Sequence, residues 1–105
     1  MPIIMTARYQ VHPQAVDRCK QAIKNLVEYV KENEKGTLYY IANQEILNPY
    51  AFLHMMIFQD EVALTMHRSS EAAERFVSVI YPAAIDPLEF KEYNEVGHNF
   101  NFRVQ

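Results

Sequence analysis

Residues 52–70 read FLHMMIFQDEVALTMHRSS, and two periodicities meet inside them. Over residues 52–59, Phe52, His54, Met56 and Phe58 alternate with Leu53, Met55 and Ile57. Neither set is strongly polar, which predicts a strand covered on both faces. Asp60 is a good N-cap, so a short helix follows and runs to about Arg68. Ser69 and Ser70 interrupt it and can cap another helix. One histidine, His54, falls on the strand and one, His67, on the helix.

Downstream, Glu71 and Glu74 occupy the first turn of a last helix, on the favourable side of its dipole. Ala73, Phe76, Val77 and Ile80 form its inner stripe, and Tyr81-Pro82 is expected to end it. Residues 88–96 read as a fourth strand with Leu88, Phe90 and Val96 inward. Phe100, Phe102 and Val104 alternate in the tail, which suggests an extended arm on an apolar surface.

Upstream, residues 3–11 have period two: Ile3, Met5, Ala7, Tyr9 and Val11 share one face, Ile4, Thr6, Arg8 and Gln10 the other. His12-Pro13 opens a helix whose apolar stripe is Val16, Cys19, Ile23, Leu26, Val27 and Val30. Lys35-Gly36 closes it, Gly36 being free to take positive φ. Residues 37–43 are rich in strand formers, and Asn48-Pro49 marks a turn. The order β-α-β-β-α-β is that of a ferredoxin-like α+β domain, an antiparallel sheet with helices on one face.

The 105 residues suit one domain, and half of them are apolar, enough for a core without disulfides. No apolar run approaches the ~18–20 residues of a membrane span, and MPIIMTARYQ lacks the features of a signal peptide. A lone cysteine, Cys19, adds to the expectation of a cytoplasmic protein. The net charge of −3, with both signs mixed along the chain, argues against a nucleic-acid partner. Helices on one face of an apolar sheet leave the other face bare, at a cost of roughly 25 cal/mol per Å². A two-fold homodimer is therefore expected; a monomer whose tail folds over the sheet is the alternative.

Gly36-Thr-Leu-Tyr-Tyr40, then Pro49 and Phe52, then Asp60-Glu-Val-Ala63-Leu64 with His67 and Ser70, resemble the antibiotic biosynthesis monooxygenase-like family of the dimeric α/β barrel superfamily. The resemblance covers about residues 3–96. It implies a ferredoxin-like protomer, a dimer that pairs two sheets, and a pocket between each sheet and its helices. It also implies oxygenation of polycyclic aromatic quinols without a cofactor, although relatives include haem-degrading enzymes and small isomerases. Many members carry a Glu late in the third strand; here Met56 takes that position, with Phe58 at the following aromatic one.

His67 matches the family histidine and is expected to act as a base or hydrogen-bond donor to a phenolic substrate; bracing its helix end near Ser69 and Ser70 is the simpler alternative. His54 is a second catalytic candidate or a hydrogen-bonded core histidine. Tyr9, Tyr40, Met56, Phe58, Met66 and Phe76 are expected to wall a pocket for a small aromatic molecule, with Arg8 as a further polar point. No HxH or HExxH pair supplies metal-ligand spacing, and Arg75, Phe76, Val77 and Ser78 stand where a haem ligand would be sought in the last helix. With only Gly36 and Gly97, the chain also lacks phosphate-binding glycine loops and a GxSxG elbow. The leading expectation is a cofactor-independent monooxygenase of a quinol-type substrate. The alternatives are a non-catalytic binder of a hydrophobic metabolite, or an isomerase or lyase of the same fold.

Overall fold

The structure, a computed structural model, describes residues 1–99. The elements run β1 (Ile3–Gln10), a 3-10 turn (Pro13–Ala15), α1 (Val16–Asn33), β2 (Thr37–Gln44), β3 (Ala51–Phe58), α2 (Glu61–Arg68), α3 (Glu71–Ala83) and β4 (Glu89–Tyr93). The strands form one antiparallel sheet in the order β2-β3-β1-β4. This is the ferredoxin-like α+β fold that the order of periodicities predicts. No helix among the described residues is long and apolar enough to cross a membrane. The tail expectation for Phe100, Phe102 and Val104 lies outside the described residues.

The register assigns the two faces of the sheet. Ile3, Met5, Ala7 and Tyr9 of β1 stand opposite Phe58, Met56, His54 and Phe52 of β3. All eight are buried, so this face meets the helices. Cys19, Ala22, Ile23, Leu26 and Val30 of α1 cover part of it, close to the stripe the spacing predicts. The other face carries the cross-strand pair Ile41 and Met55, each 41 % exposed, with partly exposed Leu53 and Ile57 flanking Met55 along β3.

Local chemistry accounts for the helix starts. The Asp60 carboxylate accepts the Ala63 N–H at 2.9 Å and the Ser70 hydroxyl accepts that of Ala73 at 3.0 Å, each satisfying an amide with no partner inside its helix. The helix ends depart from expectation. Gly36 does not have a positive φ. A Cβ on it would lie 2.6 Å from the Ala63 Cβ, so it is the close approach of α2 that demands a glycine. Pro82 does not end α3 but sits within its final turn, and Ala84 leaves it in extended conformation. Without an N–H, Pro82 leaves the Ser78 carbonyl without its i+4 amide donor, and the helix ends one residue later. Val96 lies beyond β4 and is exposed rather than inward.

Candidate active site

Between the sheet and the helices lies a cavity of about 330 Å³, within the ~300–1,000 Å³ range of small-molecule sites. Seven of the nine residues expected at a site line it: Tyr9, Tyr40, His54, Met56, Phe58, His67 and Phe76. Arg8 and Met66 do not, which corrects that part of the expectation. Arg8 follows β1 alternation onto the opposite face, where it pairs with Glu45 at 2.8 Å. Met66 is 66 % exposed. It adjoins His67, and consecutive helical residues point in different directions, so the turn that brings His67 inward sends Met66 out.

His54 sits at the centre of the buried face, 1 % exposed. Its cross-strand neighbours are small, Ala7 on one side and Ala42 on the other. The diagonal neighbours are Tyr9 and Tyr40, which fill the room that the alanines leave. The Tyr9 hydroxyl lies 2.7 Å from His54 Nε2 and the Tyr40 hydroxyl 2.8 Å from Nδ1. Phe76 of α3 closes over the group, its ring centroid 5.5 Å from that of His54. Burial, and then the neighbouring His67, lower the His54 pKa to about 4, so the ring is neutral at pH 7. Burial also holds both phenols above their ordinary range, and the Glu34 carboxylate adds to this at Tyr40. A phenol on this wall is therefore a donor that keeps its proton.

His67 forms the second polar point. Its ring packs on Phe58 at 5.2 Å and Tyr40 at 5.7 Å between centroids. Its Nδ1 lies 2.9 and 3.1 Å from the two carboxylate oxygens of Glu34, the residue that caps α1. The two side chains are 11 % and 9 % exposed. Thr37 donates its hydroxyl to the same carboxylate at 2.7 Å and holds it in place. A carboxylate on Nδ1 fixes where that nitrogen's hydrogen points and leaves Nε2, which has no partner among the described residues, to meet a ligand. Sequence reading missed Glu34. One signal was available: a carboxylate at a helix C-terminus opposes the macrodipole and calls for a compensating partner.

Among the described residues, no three His, Cys, Asp or Glu side chains converge as a metal ion would need. The site as a whole offers an aromatic, mainly apolar enclosure with a carboxylate-held imidazole on one wall and a Tyr–His–Tyr chain on another.

The fold recurs widely. The chain is similar to a candidate antibiotic biosynthesis monooxygenase from Bacteroides thetaiotaomicron VPI-5482, at TM-score 0.88 and 17% identity over 97% of this chain and 96% of that one. It is similar to a conserved protein from Methanosarcina mazei Go1, at TM-score 0.82 and 24% identity over 90% and 93%. A further candidate antibiotic biosynthesis monooxygenase, from Caulobacter crescentus CB15, gives TM-score 0.84 and 18% identity over 91% of each chain. At these identities the likeness is one of fold. No protein of curated function matches the chain. The sequence profile of the antibiotic biosynthesis monooxygenases, however, matches residues 2–79, and on that match the chain belongs to the antibiotic biosynthesis monooxygenase family.

Proposed function

We propose that this protein is a monooxygenase of a small aromatic quinol, with the substrate in the cavity under the helices and His67 as its base. The observation that carries this reading is the buried His67–Glu34 pair on the wall of an aromatic enclosure. Nε2 of His67 takes the proton of a quinol hydroxyl, and Glu34 steadies the resulting imidazolium. The electron-rich quinolate then reacts with molecular oxygen. One oxygen atom enters the ring to give a hydroxyquinone and the other leaves as water. The quinol itself supplies all the electrons, so the balance needs no flavin, metal or external reductant. The chain contributes a positioned base, an oriented cavity and restricted access of water.

The test is oxygen uptake above the protein-free rate across a panel of naphthoquinols and anthraquinols, with ¹⁸O₂ and mass analysis of the product. One labelled oxygen in the hydroxyquinone is expected; uptake equal to the protein-free rate with every quinol removes the reading. A binding protein without turnover is the second reading. It is favoured by Met56, an uncharged thioether on the cavity wall where many relatives carry a carboxylate. Isomerase or lyase chemistry in the same cavity would convert a ligand without consuming oxygen.

The bare face of the sheet belongs to the same proposal. Ile41, Met55, Leu53 and Ile57 form an apolar surface that none of the chain's helices covers, and a second copy packed across a two-fold axis would bury it. The lone buried Cys19 suits a reducing compartment, and we place the protein in the cytoplasm.

A further inference from the structure

The Tyr9–His54–Tyr40 chain has more hydrogens than it uses. Two hydrogen bonds join the three side chains, and neither phenol oxygen has any other partner among the described residues. A neutral imidazole carries one N–H and each phenol one O–H, three hydrogens for two bonds. If Nε2–H donates to Tyr9, then Tyr40 donates to Nδ1 and the Tyr9 hydrogen has no acceptor. In the other tautomer the two tyrosines exchange roles. A protonated ring would leave both phenol hydrogens over. In every state at least one O–H is therefore unclaimed by the protein, and both tyrosines line the cavity. Met5, Ala7, Met56, Phe58 and Phe76 supply apolar wall around them, and His67 and Arg68 are further polar side chains of the lining.

We propose that this chain is a hydrogen-bond donor site for a ligand oxygen, selecting flat aromatic ketones and quinones over hydrocarbons of the same shape. Because one imidazole serves two phenols, the ligand's oxygen chooses the tautomer: whichever tyrosine it meets becomes the donor, and His54 turns its hydrogen to that tyrosine's oxygen. The site thus reads an acceptor at either of two positions without a charged group. The proposal rests on the cavity being the ligand site, as the quinol reading does, but not on turnover. It gives that reading a substrate with two distinguishable oxygens, a hydroxyl donating its proton to His67 and a second oxygen accepting from the tyrosines.

Fluorenone and fluorene are the probes, matched in shape and differing by one carbonyl. Fluorenone should bind about 2- to 10-fold more tightly, the contribution of one net hydrogen bond. Its carbonyl stretch should move to lower wavenumber in the complex. Tyr9→Phe or Tyr40→Phe, whichever removes the donor in use, should abolish the preference while leaving fluorene affinity unchanged, which also reports that the cavity is intact. Equal affinities with an unshifted carbonyl band would overturn the proposal. So would failure of both probes to bind, which would remove the cavity as the ligand site as well. Selective fluorenone binding alongside quinols that consume no oxygen would uphold the donor site and sink the monooxygenase reading alone.

Discussion

At the scale of single residues, the site depends on how each histidine is held. His54 is locked between two phenols, its pKa lowered to about 4 from the ordinary 6.5. The unfolded chain takes a proton on this ring below about pH 6.5, while the folded one does not until about pH 4. In that window the unfolded state binds more protons, so stability falls as pH drops through it, by about 3 kcal/mol in total. Urea unfolding of wild type and His54→Gln at pH 7 and pH 4.5 measures this: wild type should lose more stability between the two, and equal losses would contradict the assignment. The register puts His54 on the face of Tyr9, and alternation puts Tyr9 on the face opposite Arg8; that Arg8 and Tyr9 do not share the cavity was legible in adjacency, but which of them faces it was not. Nor was the bond from Glu34 to His67. It spans 33 residues and depends on how the end of α1 docks beside α2, which no local pattern encodes.

At the scale of elements, the site is assembled by how α2 meets the β2 edge. Gly36 precedes β2, and its Cα faces Ala63 of α2. This approach brings His67, one turn further along α2, against Glu34. Gly36→Ala forces the helix outward and should cost about 1–3 kcal/mol. Adding Ala63→Gly restores the space, so a double-mutant cycle by denaturant unfolding should show the second change recovering part of the loss. Strict additivity would mean that the contact does not hold α2. Periodicity gave the existence and type of each element because apolar alternation and apolar stripes decide burial directly. It misjudged ends. Gly36 suggested a left-handed cap where tight packing was the cause, and Pro82 suggested a stop one residue too early.

At the scale of the whole molecule, the chain divides its apolar surface between two jobs. One sheet face, with α1, α2 and α3, encloses the cavity; the other, with Ile41 and Met55, has no helix of its own to cover it. The dimer reading predicts a sedimenting species of twice the chain mass at micromolar concentration, and Met55→Asp should convert it to one chain mass. A wild type that sediments as a single chain would leave the sheet face without its proposed cover. The fold was legible at this scale because the order of strands and helices admits few topologies. The cavity's chemistry was legible only as residue types, since tautomers and hydrogen counts require knowing which atoms meet. The most direct test of the account is the initial rate of oxygen uptake with a naphthoquinol for wild type and His67→Gln, whose amide still reaches Glu34 but accepts no proton. A fall of about 10²–10⁴-fold is predicted; an unchanged rate would show that His67 is not the base and that the cavity does not work as proposed.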